Sequence, residues 1–357
     1  MLRRSGGDIW FVLVFVALCG TAASAQKPGR KDAAIEQIRT RRDLSATDTR
    51  QIGDWVKERV RTLKANSDAG NSNPLVPFLK RFSEQYSNRK NTPDFKTELV
   101  VQTSTVAMLK FDQADVSTSV AIGLATVLVD FNRIEAVDAL LAGLSVTDAS
   151  TRALCLTGLT ELQSAIERDA GKVQQVVQAL RRAGASETDS GVVAQIYRAL
   201  AYENQTALVF DTYLEILDKR LDGRGGPDVF LPIAEVELVE FFRLRAVIVA
   251  LSQPEKTLLV ASLAVLLRSD AERYGVETLK DHYEKVALEQ RLHGVETILV
   301  AVVGGGNGGR IRSKLEEGGH EQRSAILQEA YKWVGDPDAK TPGTLNAEPW
   351  NVPLGAP

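Results

Sequence analysis

The stretch AVDALLAGLSVTDASTRALCLTGL (residues 136–159) decides the fold class, because the stretch VVQALRRAGASETDSGVVAQIYRAL (residues 176–200) repeats its pattern. Leu140 aligns with Leu180, and Asp148 aligns with Asp189. In both stretches apolar residues recur at helical spacing on either side of a short turn rich in serine, threonine and aspartate. Each stretch therefore predicts two helices joined by a turn, with the aspartate as N-cap of the second helix.

Two weaker copies of this pattern occupy residues 104–128 and 258–283. Together the four stretches resemble HEAT- and armadillo-type α-solenoid repeats, whose units contain two or three helices in roughly 40 to 47 residues. The spacing from Asp148 to Arg152 resembles the turn aspartate and second-helix arginine of HEAT units, whereas Val193 replaces the arginine in the next copy. The resemblance covers residues 104–283 and implies an all-α, irregular array of antiparallel helical hairpins. A generic helical bundle is the alternative.

The composition favours a globular helical protein and argues against a nucleic-acid binder. Hydrophobic residues make up 44% of the 357 residues, aromatic residues make up only 6%, and the net charge is -3. Residues 27–64 contain 11 lysines and arginines against 6 acidic residues, whereas residues 205–255 contain 5 against 9. Solvated helix faces explain this asymmetry, and a site for an anionic partner is the alternative. Aromatic residues do not alternate with the basic ones, as a single-strand binder requires.

Residues 1–25, MLRRSGGDIWFVLVFVALCGTAASA, have the three parts of a secretory signal peptide. Arg3 and Arg4 precede an apolar run over residues 9–19, and the sequence Ala-Ser-Ala ends at Ala25. Cleavage after Ala25 predicts a periplasmic or extracellular protein with no stable transmembrane anchor. One alternative is a transmembrane anchor, but the apolar run is shorter than the roughly 20 residues that span a membrane. A second alternative is lipidation at Cys19. Cys155 would then be the single cysteine, which we predict to be a buried core residue.

The stretch VAVVGGGNGGRIRSKL (residues 300–315) contains a G-x-G-x-x-G pattern at Gly304, Gly306 and Gly309. A dinucleotide-binding turn requires a preceding strand, a following helix and an acidic residue about 20 residues later at the end of a second strand. Glu329 follows Gly309 by 20 residues, as this motif requires, but it lies in a stretch with helical periodicity and not at the end of a strand. We therefore predict a helix that ends at Val303, a flexible glycine linker over residues 304–309, and a terminal helix.

Few residues suggest chemistry. His282 and His293 lie three helical turns apart near Asp281 and Glu284, which suggests a weak candidate for a metal site, whereas His320 is isolated. Glutamates 235, 237 and 240 are close in sequence, but only Glu237 and Glu240 share a helix face, and none has an obvious acid–base partner. The sequence assigns no catalytic, cofactor-binding or metal-ligating residue and implies no cofactor.

The predicted organisation is a signal peptide (1–25), a helical HEAT-like domain (26–334) with the glycine-rich linker at 304–309, and a disordered proline- and glycine-rich tail (335–357) that contains Trp350. Helical arrays commonly present an extended binding surface. The expected function is therefore non-enzymatic: protein interaction or scaffolding in a bacterial cell envelope, with another protein as partner. The alternative is an exported helical enzyme or ligand-binding protein whose site is assembled from scattered residues.

Overall fold

The computed structural model describes residues 30–221, 233–275, 282–304, 310–317 and 322–354. Over these ranges the chain is all-α, with one isolated antiparallel bridge between Asp336 and Thr341 and no β-strand. The helices are α1 (Arg30–Ile38), α2 (Ala46–Asp68), α3 (Leu75–Tyr86), α4 (Pro93–Phe111), α5 (Thr118–Phe131), α6 (Val137–Gly143), α7 (Ala149–Glu161), α8 (Gln163–Ile166), α9 (Ala170–Ser186), α10 (Ser190–Ala199), α11 (Thr206–Leu221), α12 (Ile233–Phe242), α13 (Arg245–Ala250), α14 (Gln253–Gly275), α15 (His282–Val303), α16 (Ile311–Glu317) and α17 (Gln322–Val334).

Most helices contact helices that are near them in sequence. In one series α3 packs against α5, α5 against α7, α7 against α10, α10 against α12, and α12 against α15. In another series α2 packs against α4 and α4 against α6, while α9 packs against α11, α11 against α14, and α14 against α17. Neighbouring helices such as α4 and α5, α6 and α7, or α14 and α15 also contact each other. The apolar side chains between these helices form one continuous core.

The two quoted stretches form the predicted helix–turn–helix units. The side chain of Asp148 accepts hydrogen bonds from the backbone N–H and the hydroxyl of Thr151 at the start of α7. Asp189 accepts the N–H of Val192 at the start of α10. Both aspartates are therefore N-caps, as predicted, because their carboxylates satisfy N–H groups that have no partner within the helix.

The weaker copy at residues 258–283 differs from this pattern. Helix α14 continues from Gln253 to Gly275 without a turn at the polar sequence RSDAER. Asp270 in that sequence does not cap a helix, since its carboxylate accepts a hydrogen bond from the guanidinium of Arg291. A long-range ion pair thus replaces the local turn that the sequence suggested.

Aromatic side chains close the core near the N-terminus of the described chain. The rings of Trp55 and Phe82 lie 5.0 Å apart in an edge-on arrangement, and Phe78 lies 4.9 Å from Phe82. The indole N–H of Trp55 donates to Asp32 over 2.9 Å. This bond joins α1 to α2 and satisfies a polar group that is buried with the ring.

The C-terminal segment is ordered through residue 354, in contrast to the predicted disorder of residues 335–357. Asp336 and Thr341 exchange two backbone hydrogen bonds, and the N–H of Val352 donates to the carbonyl of Leu345. Leu345 is fully buried, and Trp350 packs against the core. These apolar residues lack a helical or strand period, so the sequence pattern did not indicate that they pack. Residues 355–357 lie outside the described residues.

The predicted signal peptide, residues 1–25, lies outside the described part of the chain. Among the helices within it, none is both long enough and apolar enough to cross a membrane.

Candidate functional site

Two adjoining grooves surround the turn between α4 and α5. The first, which we name the turn groove, has a volume of 560 Å³ and lies between the α4–α5 turn and the α6–α7 turn. Its lining includes Phe111 at the end of α4, Gln113 and Val116 from the α4–α5 turn, and Val146 and Asp148 from the α6–α7 turn. The groove exists because two successive helix pairs place their turns side by side.

The second groove, which we name the basic groove, has a volume of 340 Å³ and is lined by α2, α4 and the first turn of α5. The nearly buried side chains of Val60, Val106 and Val120 form its floor. Four cationic side chains and a single acidic one, Asp115, also line it. The cations are Lys57, Arg61, Lys64 and Lys110. The groove therefore combines an apolar floor with an excess of positive charge.

Gln113 and Val116 line both grooves, so the two form one continuous surface around the α4–α5 turn. The cap of α5 at this surface is incomplete, since Ser117 makes no side-chain hydrogen bond to the start of the helix. Its buried hydroxyl oxygen has no hydrogen-bond partner within the described ranges. Around this turn the surface presents the exposed polar side chain of Gln113, the partly buried Val116 and the nearby cation Lys110.

A second cluster of charges lies inside the C-terminal half of the protein. It consists of Arg220 on α11, Glu235 on α12, Asp270 on α14 and Arg291 on α15, all with less than a tenth of their surface exposed. Arg291 donates to Glu235 over 2.5 Å and to Asp270 over 2.8 Å, and Arg220 contacts the other oxygen of Glu235. We name this set the buried ion cluster. Its two positive and two negative charges join four helices.

The chemistry of the buried ion cluster favours a structural role. All four carboxylate oxygens of Glu235 and Asp270 contact an arginine nitrogen. Burial lowers the pKa of Arg291 to about 10, and the charge of Glu235 opposes that shift. Burial also raises the pKa of the neighbouring Tyr197, a shift that Glu235 reinforces. Arginine nitrogens thus occupy both carboxylates, and these contacts hold helices α11, α12, α14 and α15 together.

The three neighbouring glutamates of α12 contact three different sets of residues. Glu235 belongs to the buried ion cluster, Glu237 pairs with Arg198, and Glu240 pairs with Arg243. The sequence had shown no partner for Glu235, because Arg291 lies 56 residues away. No pair of acids converges here, so α12 offers no acid–base pair.

The histidines do not form a metal site in the part of the chain that the structure covers. His282 is exposed and His293 is partly buried on α15. Burial lowers the pKa of His293, and the positive charges of Arg243 and Arg312 lower it further. Within the described ranges no group of three or more histidine, cysteine or acidic residues is placed to hold a metal ion. His320 and Asp281 lie outside these ranges.

The glycine-rich stretch begins at the end of a helix and not at the end of a strand. Helix α15 ends at Val303, as predicted, and Gly304 follows with a φ of +93°, a conformation that glycine adopts readily. The rest of the predicted flexible linker, residues 305–309, lies outside the described residues.

Two buried glutamates hold the start of the next helix. Glu296 accepts the N–H groups of Ile311 and Arg312, and Glu329 accepts the N–H of Arg310. Glu329, whose distance from the glycines matches the acidic residue of a dinucleotide-binding motif, therefore binds the N-terminus of α16. Its carboxylate occupies the place where a dinucleotide-binding turn would bind a phosphate.

Cys155 is fully buried, and burial raises the pKa of its thiol to about 12. A thiol of this kind is almost entirely protonated at neutral pH, so it is a poor nucleophile. Its position on α7 matches the predicted core role.

No family model, curated protein or solved structure matches this chain.

Proposed function

We propose that this protein is a non-enzymatic interaction or scaffolding protein whose helices form an irregular, HEAT-like array of antiparallel hairpins. The observation that carries the proposal is the continuous surface formed by the turn groove and the basic groove. The grooves have volumes of 560 and 340 Å³ and meet at Gln113 and Val116. A surface that spans several helix pairs suits a macromolecular partner, and we expect this partner to be another protein.

The order of helix contacts supports the array. Alternate helices pack in two series along the chain, and the hairpins α4–α5, α6–α7 and α9–α10 follow one another. In a solenoid each unit buries its apolar face against its sequence neighbours, which accounts for this pattern of local contacts.

A side-chain bridge between two units also supports it. Arg152 on α7 donates to both carboxylate oxygens of Glu187, which precedes α10, over 2.7 and 2.9 Å. The same guanidinium donates to the backbone carbonyls of Val146 and Thr147 in its own turn. Arg152 thus fixes the turn of one hairpin and the position of the next. Val193, at the matching position of the second unit, is fully buried instead.

The lining of the two grooves favours binding over catalysis. Their titratable groups are four cations and three aspartates, Asp112, Asp115 and Asp148, of which Asp148 already caps α7. Neither groove contains a histidine, a cysteine or a glutamate.

We also propose that the protein is exported by its N-terminal segment and acts in the cell envelope of a bacterium. The basis is the order of Arg3 and Arg4, the apolar run and the Ala-Ser-Ala site in residues 1–25. Fractionation of producing cells followed by N-terminal sequencing tests this proposal. Export predicts an envelope or extracellular protein that begins at Gln26, whereas a cytoplasmic protein that keeps Met1 would contradict it.

Site-specific photo-crosslinking in the native host tests the interaction function. A photoreactive residue replaces exposed Ala114, which lines the turn groove. The matched control replaces exposed Lys90, which follows α3 and precedes the opposite end of α4. Helix α4 has 19 residues. At 1.5 Å per residue this is about 28 Å, so the control lies outside the reach of the same partner contact.

We expect Ala114 to give a discrete crosslinked protein that the Lys90 control does not give. The same partner should then crosslink to a second turn-groove position, Thr147. Crosslinks that are absent at both groove positions, or equally strong at Lys90, would overturn the proposal.

A further inference from the structure

We propose that the basic groove binds an acidic, amphipathic segment of the partner protein. This inference rests on the proposed interaction function and specifies the chemistry of the partner. The groove is the place where the cation-rich region of the sequence, residues 27–64, meets an apolar floor. The cations and the apolar side chains of the groove together determine the chemistry of a partner segment that can bind there.

The cations lie on both sides of the groove. Lys57, Arg61 and Lys64 follow one another at helical spacing along one face of α2, and Lys110 projects from α4. Seven residues of helix correspond to about 10 Å, the length of two turns of a bound helix. A segment with acidic residues at this spacing would place carboxylates opposite all four cations.

These cations remain open to a partner to different degrees. Lys57 and Lys110 form no ion pair within the described ranges, and Lys110 donates only to the side chain of Gln113. Arg61 pairs with Glu58 and Lys64 with Asp68 on the exposed face of the same helix. Exposed pairs within one helix contribute only about 0.3–0.5 kcal/mol, so a partner carboxylate can replace them at little cost.

The apolar floor selects a peptide over other polyanions. Val60, Val106 and Val120 line the groove but are at most 4% exposed, so the apolar surface open to a partner comes from the partly buried Val116 and the aliphatic stems of the cations. An amphipathic segment covers Val116 and these aliphatic stems with its own apolar side chains while its acidic residues face the charged groups. The lining contains no aromatic ring on which a nucleic-acid base would stack.

Fluorescence anisotropy with the mature protein tests the inference. The probe is a fluorescein-labelled 12-residue peptide in which pairs of glutamate alternate with pairs of leucine. The comparison probes are the same peptide with serine in place of leucine, heparin, and a 12-nucleotide strand of deoxythymidine. We expect binding of the leucine peptide that weakens between 0.05 and 0.5 M salt, and at least about tenfold weaker binding of the serine peptide.

Two double variants locate the site. Lys57→Glu with Lys110→Glu reverses two charges in the groove, and Arg89→Glu with Lys90→Glu makes the same charge change in the exposed turn before α4. The groove variant should bind the leucine peptide at least about tenfold more weakly, and the turn variant should bind within about twofold of the parent. The neutral variant Lys57→Gln with Lys110→Gln repeats the test without introducing repulsion, and circular dichroism confirms that each variant is folded.

The results separate this inference from the proposed function. An equal loss of affinity for the leucine peptide in both double variants would show nonspecific charge attraction and overturn the inference. Equal affinity of the parent protein for the leucine and serine peptides would also overturn it. Preferential binding of heparin or of the oligonucleotide would do the same. In either case a crosslink at Ala114 would preserve the interaction function with a partner of different chemistry. Loss of the Ala114 crosslink together with retained peptide binding would instead overturn the function and leave the groove as a binding site.

Discussion

The N-terminal region (α2–α7) and the C-terminal region (α10–α15) use positive charge in opposite ways. In the N-terminal region the core is closed by Trp55 and its aromatic neighbours, while Lys57 and Lys110 face a groove. In the C-terminal region Arg220 and Arg291 lie inside the core and pair with buried acids. We propose that the groove cations Lys57 and Lys110 are available to a partner, whereas Arg220 and Arg291 form ion pairs that stabilise the fold.

The largest expected effect is the loss of a buried cation. Arg291→Met leaves Asp270 and one oxygen of Glu235 without their arginine in a buried environment. Removal of one partner from a buried ion pair typically destabilises a protein by about 3–5 kcal/mol. Chemical denaturation should show this loss for Arg291→Met.

Arg268→Met serves as the matched control. Arg268 makes a partly exposed pair with Glu272 on the same helix, and such pairs contribute about 1 kcal/mol or less. Equal stability losses in the two variants would contradict the distinction between buried and exposed cations.

A smaller effect is expected at the bridge between the two hairpins. Arg152→Ala removes two hydrogen bonds to Glu187 and two to backbone carbonyls. Hydrogen bonds to charged groups contribute about 1.5–3 kcal/mol, so we expect a destabilisation of about 2 kcal/mol. Arg181→Ala, which removes an exposed pair with Glu215, should cost less than about 1 kcal/mol. If the two variants are equally stable, the bridge does not contribute to the array.

A third prediction concerns pH and the start of α2. Hydrogen bonds from the Ser45 backbone N–H and hydroxyl, together with the charge of Arg41, lower the pKa of Asp48 below its ordinary value of 3.8. The stabilisation by Asp48 is therefore complete above the unfolded value and is lost as pH falls through the lower folded value. Asp48→Asn should cost about 1 kcal/mol at pH 7 and progressively less as the pH falls through the folded pKa, as measured by urea denaturation. If the difference in the free energy of unfolding between the parent protein and Asp48→Asn does not change with pH, the capping role of the carboxylate is refuted.

The smallest expected effect on stability is at the basic groove. Lys57→Gln with Lys110→Gln removes two cations that form no ion pair within the described ranges. Surface substitutions of this kind change the free energy of unfolding by about 0.5 kcal/mol or less. A loss above 1 kcal/mol in thermal or urea unfolding would mean that these lysines serve the fold, as Arg291 does.

The sequence predicted the features whose signals lie within a few residues. Asp148 and Asp189 cap their helices through N–H groups three residues away, and α15 ends where the glycines begin. The all-α class followed from the helical period, which is also a local property. These predictions were confirmed because each depends on the conformation of a single turn.

Features that depend on distant residues could not be predicted. Glu235 looked like an acid without a partner, since Arg291 reaches it only after the chain has folded. The predicted disorder of the tail failed for a similar reason: Leu345 is buried by contacts that leave no periodic signal. The basic groove likewise combines residues from Lys57 to Val120, and the sequence showed only an excess of charge.

The most direct test of the account is the affinity of the glutamate–leucine peptide for two variants that each lose cationic charge. These are Lys57→Gln with Lys110→Gln in the groove and Arg291→Met in the core, compared at a temperature where both are folded. We expect at least about fivefold weaker binding by the groove variant and unchanged binding by Arg291→Met. Unchanged binding by the groove variant, or an equal loss in both, would contradict the claim that the N-terminal cations serve a partner and the C-terminal cations serve the fold.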